Sequence, residues 1–284
     1  MTIFHDGSLN DRDPIVTILR IKDKMMEDAL ADNSTGRKLA WITGASSGIG
    51  RAVAVKLADR GWQVAVSARS VEKLAALAAE RPGLIHAYPL DITDGQALRD
   101  VVHGIEQSLG PIDLALFSAG GYVRESARRF DAGKLAELFN LNVVGTAHAL
   151  GAVMAPMISR QGGQIAVVAS VAGYIGLPGG GIYGATKSAL ITLCEALRPQ
   201  LEREGVTLQV INPGFVDTPM TKTNDFPMPF LIEEDEAAEA IIRGLDSKRF
   251  EIVFPWKMKV AIKLLAAMPY SISLAVTRRM LRKE

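Results

Sequence analysis

The stretch LAWITGASSGIG, residues 39–50, decides the fold. Leu39 to Thr43 read as a short strand that is apolar on both faces, as a strand covered by helices should be. The strand runs straight into Gly44, and Ile49 opens a run to Arg60 whose apolar residues recur at helical spacing. In such a strand–turn–helix unit Gly44 permits the tight turn. Gly48 lets the backbone approach a pyrophosphate, and Gly50 lets the helix pack close against the sheet. The helix N-terminus then points N–H groups and partial positive charge at the phosphates. The spacing G-x-x-x-G-x-G lacks the Gly-Lys-Ser/Thr ending of a triphosphate loop, with Arg51 in place of the closing hydroxyl residue. ATP hydrolysis is therefore disfavoured.

The same alternation continues downstream. Strands are predicted at Gln63–Ala68, Leu84–Pro89, Leu114–Ser118, Gln164–Ala169, Thr207–Asn212 and Phe250–Phe254. Helices are predicted at Val71–Glu80, Gln96–Leu109, Lys134–Ser159, Tyr183–Glu204 and Glu234–Ser247. Pro199 is expected to kink the fourth of these. Strand–helix alternation of this length implies an α/β fold with a parallel sheet and right-handed crossovers. The expectation is a single doubly wound, Rossmann-like sheet of about seven strands flanked by helices, with a helical C-terminal extension.

The end of the second strand selects a nucleotide. An acidic residue there would bind an adenine-ribose 2′-hydroxyl, whereas an arginine accommodates a 2′-phosphate. The sequence reads Val66-Ser67-Ala68-Arg69-Ser70. Arg69 favours NADP(H), with Ser46 and Ser70 as further hydroxyl donors. If Arg69 is only a solvated loop residue, Glu72 would serve NAD(H) instead.

Tyr183-Gly184-Ala185-Thr186-Lys187 opens a helix. Residues four apart share one helical face, so the phenol and the ammonium point the same way. The ammonium is expected to favour the phenolate and lower the tyrosine pKa, bringing an acid–base group nearer neutral pH. Ser170 ends a strand thirteen residues before Tyr183, and Asn142 lies in the preceding helix. Asn212-Pro213-Gly214-Phe215-Val216-Asp217-Thr218 follows the next strand.

With TGASSGIG, this set closely resembles the short-chain dehydrogenase/reductase family over about residues 37–255. The resemblance implies Tyr183 as catalytic acid/base and Lys187 as the residue that holds the nicotinamide ribose and lowers the tyrosine pKa. It implies Ser170 as the hydroxyl that orients the substrate carbonyl, and Asn142 as the helix-kink residue that holds a water in the proton relay. It also implies a nucleotide site made of Gly44, Ser46, Ser47, Gly48, Ile49, Gly50, Arg69, Asp91, Ile92, Ala119, Gly120, Tyr183, Lys187, Pro213, Gly214, Val216 and Thr218. Ser118 stands where the family usually has Asn. The implied reaction is hydride transfer between NADP(H) and a carbonyl or secondary alcohol, in a cytoplasmic homodimer or homotetramer. Two rivals are weaker. A nucleotide-sugar epimerase or dehydratase relative usually has a different glycine spacing and a larger C-terminal domain, and a non-catalytic NADP-binding regulator usually lacks the Tyr or the Lys.

The residues expected to border the substrate are apolar, chiefly Tyr174, Ile175, Met220, Phe226 and Phe230, with Leu177, Met228 and Leu231 nearby. The Pro-containing stretch Pro219–Ile232 is read as a lid. An apolar or lipid-like ketone is the expected substrate. Arg124, Arg128 and Arg129 are read as a solvated helix face.

Composition narrows the remaining classes. Lys+Arg 32 against Asp+Glu 31 gives a net charge of +1, which argues against nucleic acid. Cys194 is the only cysteine, so neither an intrachain disulfide nor a cysteine-built metal site is available. His5, His86, His103 and His148 fit no ligand spacing. No charge-free apolar run reaches spanning length, and the acidic N-terminus is unlike a signal peptide. Residues 1–36 carry seven acids and four bases and are read as a mobile arm. Residues 256–284 carry seven bases and one acid, Glu284. Met258, Ala261, Ile262, Leu265 and Met268 are assigned to one helical face. Packing of that face on the lid or a second subunit is favoured over peripheral membrane contact.

Overall fold

The computed structural model describes residues 36–281. The arm read over residues 1–36 therefore lies, but for Gly36, outside the described residues, as do Arg282, Lys283 and Glu284. The strands are β1 Leu39–Thr43, β2 Gln63–Ser67, β3 Ile85–Ala87, β4 Leu114–Phe117, β5 Gln164–Val168, β6 Thr207–Pro213, β7 Val216–Asp217, β8 Ile232–Glu233 and β9 Glu251–Phe254. Seven of them form one sheet in the order β3-β2-β1-β4-β5-β6-β9, and every neighbouring pair is parallel. The chain winds outward from β1 in one direction and from β4 in the other, so the switch point falls between these two strands. Ligands of open α/β sheets bind at the carboxyl ends there.

The helices are α1 Gly48–Asp59, α2 Val71–Glu80, α3 Gly95–Leu109, α4 Ala132–Phe139, α5 Gly145–Ser159, α6 Gly181–Arg203, α7 Glu234–Asp246, α8 Trp256–Ala267 and α9 Tyr270–Arg278. Alternation along β1 shows how they layer. Leu39 and Trp41 face a core shared with Leu98 and Ile105 of α3, Leu150 and Val153 of α5, and Leu190 and Cys194 of α6. Ala40 and Ile42 face the opposite core, with Leu57 of α1, Leu74 of α2 and Ile241 of α7. Both sheet faces are covered, which is why the strands carry apolar residues throughout.

The structure corrects the reading at several places. The helix expected over 134–159 is α4 and α5 joined by a π-helical turn, Asn140–Val144. The wider turn inserts Asn142 into the interior, where it is fully buried. The continuous run 132–159 is long and apolar enough to cross a membrane by length and composition, but Leu150, Val153 and Met157 are buried in the sheet's core. Helix α6 continues through Pro199 to Arg203. In α8, Met258, Ile262 and Leu265 pack against Val171, Tyr174, Ile175, Leu177 and Phe215. Ala261 and Met268, assigned to that face, are exposed instead. Met268 misses it because its backbone has left the helix, with φ −74° and ψ 147°.

Candidate active site

The carboxyl ends of β1, β2, β4, β5 and β6 open onto a cleft of about 360 Å³. The glycine loop forms its floor. Gly44 has φ +71°, and a Cβ there would stand 2.5 Å from the Ala119 backbone nitrogen, so only glycine allows β1 and β4 to approach at this turn. Ser47 is the N-cap of α1, yet its hydroxyl makes no capping bond, and the first turn carries no acid. The positive end of the α1 dipole thus faces the cleft without an internal counter-charge, as an anion site requires.

Arg69 lines the cleft at the end of β2 and is exposed. Asp91 lies near it. Its carboxylate accepts from the Thr93 amide at 2.9 Å and the Thr93 hydroxyl at 2.8 Å, and these bonds hold its pKa below the usual carboxylate range, with Arg69 adding to the effect. Glu72 is not among the cleft-lining residues; it accepts from the Ser70 hydroxyl at 3.3 Å. Ser46, Ser47, Gly48, Ile49, Ile92, Ala119, Gly120, Pro213, Gly214, Val216 and Thr218 all line the cleft. Gly50 lies behind it, where a Cβ would stand 2.6 Å from the Gly44 carbonyl oxygen. A dinucleotide fits this lining, because unencumbered backbone, a free helix end and an arginine meet in this half of the cleft.

The second half of the cleft gathers Ser170, Tyr183 and Lys187. Their register is set by two glycines. A Cβ at Gly173 would meet the Lys187 carbonyl carbon at 2.8 Å, and one at Gly184 would meet the Ala172 oxygen at 2.8 Å. The turn after β5 therefore lies directly on the first turns of α6. The Ser170 hydroxyl accepts from the Ala172 amide at 3.1 Å and is hydrogen-bonded to the Tyr183 phenol. Lys187 is buried, with Nζ donating to the Val168 oxygen at 2.9 Å and lying 5.6 Å from the Tyr183 ring centroid.

The electrostatics depart from the expectation. Burial pushes the Tyr183 phenol up to about 12, only partly opposed by the Ser170 hydrogen bond, and Tyr122 raises it further. Burial also brings Lys187 down to about 8. Desolvation dominates the phenol, and the Lys187 amine is committed to the Val168 oxygen.

Asn142 does not itself line the cleft. Its oxygen accepts from the Gly121 amide at 2.7 Å, while its nitrogen donates to the Gly121 oxygen at 3.1 Å and the Thr186 hydroxyl at 3.0 Å. It ties the strand-end loop after β4 to α6, one residue before Lys187. Ser118 lines the cleft and donates its amide to the Thr43 oxygen at 3.2 Å.

Among the residues read as bordering the substrate, Met220 lines the cleft. Tyr174 and Ile175 do not. The Tyr174 hydroxyl donates to Glu251 Oε1 at 2.6 Å and accepts from Asn212 Nδ2 at 2.7 Å, so a half-buried carboxylate draws the ring toward β9. Ile175 packs with Tyr174 against the α8 cluster. Phe226 packs edge-on to Phe215 at 5.9 Å under Arg124, and Phe230 is exposed with φ +60°. Arg124 is not on a helix; it pairs with Asp225 of the segment 219–232, whose two ends are flanked by the β7–β8 pair. Arg128 and Arg129 lie in a 3-10 turn. Reading the sequence missed Tyr122, whose ring packs edge-on against Tyr183 at 5.1 Å. An aromatic residue directly after Gly120-Gly121 at a strand end was the available signal.

Comparison with known proteins identifies the family. A family model described as short chain dehydrogenase matches residues 38–227. An uncharacterized oxidoreductase of Myxococcus xanthus is 35% identical over 246 residues, covering 86% of this chain and 97% of the relative. One from Staphylococcus epidermidis is 31% identical over 208 residues, covering 73% and 90%. Among solved structures, a short-chain dehydrogenase from Streptomyces avermitilis superposes with a TM-score of 0.73 at 25% identity, covering 86% of this chain and 96% of that one. ElxO with NADP bound shares the fold, with a TM-score of 0.70 at 22% identity and coverage of 76% and 97%.

Proposed function

The chain belongs to the short chain dehydrogenase family, and on that premise we propose that it is an NADP(H)-dependent carbonyl reductase acting on an apolar ketone or the corresponding secondary alcohol. The observation that carries the reading is the convergence of Ser170, Tyr183 and Lys187 at one end of a cleft whose other end holds a free helix N-terminus and Arg69. Residues 37–255 make the catalytic domain in this proposal, and residues 256–284 an appended tail. A cytoplasmic homodimer or homotetramer is part of the same proposal.

The glycine loop and the start of α1 would hold the pyrophosphate, and Arg69 would hold the 2′-phosphate through a charge-assisted bond. Glu72 is a weaker alternative, since it does not line the cleft and its carboxylate is engaged by the Ser70 hydroxyl at the cleft's edge. Bound NADPH supplies the hydride. Tyr183, kept protonated by burial, gives its proton to the substrate oxygen as charge develops there. Ser170 supplies a second preorganised hydrogen bond to that oxygen. Lys187 binds the nicotinamide-side ribose and, once charged there, stabilises the phenolate left after proton transfer. Asn142 acts through Gly121 and Thr186 to hold the two sides of this arrangement in register. Met220 borders the substrate end, and Tyr122 covers the Tyr183 ring.

NADPH oxidation followed with a panel of aliphatic, aromatic and steroidal ketones tests the proposal. Turnover with apolar ketones supports it. NADPH binding without turnover of any ketone would favour a regulator instead.

A further inference from the structure

We propose that the outer face of α8 and α9 docks on an anionic phospholipid membrane. The tail packs by one face only, and onto Val171, Tyr174 and Phe215 rather than onto the segment 219–232. On α8, Met258, Ile262 and Leu265 are buried against the body of the protein. Trp256, Val260 and Leu264 recur four apart on the opposite side and are 69%, 48% and 60% exposed. Lys259 and Lys263 flank that stripe on one side and Lys257 on the other.

Helix α9 is turned inside out for a helix in water. Ser273 and Thr277 are buried, while Ile272 and Leu274 are 50% and 57% exposed. A water-facing helix would bury the aliphatic residues and expose the hydroxyls. Tyr270, the first residue of α9, is 82% exposed, so each helix begins with an outward aromatic of the kind that seats at a headgroup boundary. The apolar patch also reaches the lid, because the Lys257 ammonium lies 6.0 Å from both the Phe230 and the Trp256 ring centroids. A patch of this kind on a soluble chain marks an interaction surface.

Charge selects the occupant. Residues 256–281 carry Lys257, Lys259, Lys263, Arg278 and Arg279 and no acid; Lys263 is paired with Glu251 of β9, so the charge argument rests on the other four. A second copy seated on this face by two-fold symmetry would set bases against bases with no acid to meet them. An anionic lipid surface meets both the bases and the apolar stripe. The proposal does not depend on the reductase reading of the cleft.

The test is co-sedimentation of the full chain with phosphatidylglycerol-containing vesicles and with pure phosphatidylcholine vesicles. The expected result is at least about tenfold stronger partition onto the anionic vesicles, weakened by salt. A blue shift of tryptophan fluorescence on binding should be lost in Trp256→Ser. The variant Lys257→Glu/Lys259→Glu/Arg279→Glu should lose partition while keeping wild-type circular dichroism and NADPH affinity. It touches only exposed side chains, which guards against misfolding in the apolar variant Trp256→Ser/Leu264→Ser/Ile272→Ser, expected to lose partition likewise. Equal partition onto both vesicle types, or none, would overturn the proposal. So would a concentration-dependent dimer that the apolar variant dissociates in a chain that ignores vesicles.

Discussion

The Lys187 ammonium donates to the Val168 carbonyl oxygen at 2.9 Å from a position that is only 5% exposed. One hydrogen bond is little solvation for a buried cation, and the group's pKa falls to about 8 for that reason. On the proposed role, the side chain is kept at a cost to the fold for the ribose it would bind. Two consequences of this arrangement and its neighbours concern the fold, and three concern cofactor choice and chemistry.

Lys187→Met should stabilise the cofactor-free protein. The folded pKa lies below the unfolded one, so the ionised form is disfavoured by the fold at neutral pH. The shift to about 8 from 10.5 corresponds to about 3 kcal/mol. Losing the bond to Val168 takes back about 1 kcal/mol. A net gain of about 2 kcal/mol should raise Tm by roughly 4–8 °C at pH 7, while NADPH binding and turnover are lost. Wild-type stability should rise relative to the variant as pH climbs from about 8 toward 10.5, because there the unfolded chain holds a proton the folded chain has released. A lower Tm for Lys187→Met at pH 7 would contradict this.

Asn142→Ala should do the reverse. It strips the partners from the Gly121 amide and carbonyl and from the Thr186 hydroxyl in a fully buried setting. The expected loss is about 2–4 kcal/mol, read as a fall in Tm by calorimetry. Asn142→Asp should be at least as harmful, because it sets a carboxylate oxygen against the Gly121 carbonyl. Its turnover should fall more than its NADPH affinity.

Arg69→Asp should move cofactor preference from NADPH toward NADH by about tenfold or more, since the arginine–phosphate bond is expected to contribute about 1.5–3 kcal/mol. Fluorescence titration of both nucleotides measures it. Equal affinity of the wild-type protein for both would return the role to Glu72.

The Tyr183 phenol, pushed up to about 12 by burial, stays protonated across the working range. Ketone reduction should therefore be nearly independent of pH between about 6 and 9, whereas alcohol oxidation, which needs the phenolate, should rise steadily with pH. A reduction rate that falls through a pKa near 7 would show the phenol's pKa is much lower in the working complex.

Much of this was legible in the sequence. The glycine loop, the strand–helix alternation and the four-residue spacing of Tyr183 and Lys187 are local patterns, and local patterns survive in one dimension. The parallel pairing follows from them because strands joined by helices need crossovers. What escaped depends on contacts between distant residues. Tyr174 is captured by Glu251, 77 residues away, and no periodicity announces it. Tyr122 meets Tyr183 only once β4 and α6 are side by side. The π turn at Asn142 breaks a pattern that reads as one helix, since Leu138 on one side and Ala149 on the other keep helical burial. The direction of the Tyr183 shift was misread because spacing reveals a charged neighbour but not the depth at which both groups lie.

Steady-state NADPH oxidation by Tyr183→Phe, with the apolar ketone that the wild-type protein turns over best, tests the catalytic assignment most directly. The phenyl ring keeps the edge-on contact with Tyr122, so the fold and NADPH affinity should be unchanged within about threefold, while kcat falls by about 10²–10⁴-fold. A variant that binds NADPH normally and keeps most of the wild-type kcat would contradict the role given to Tyr183.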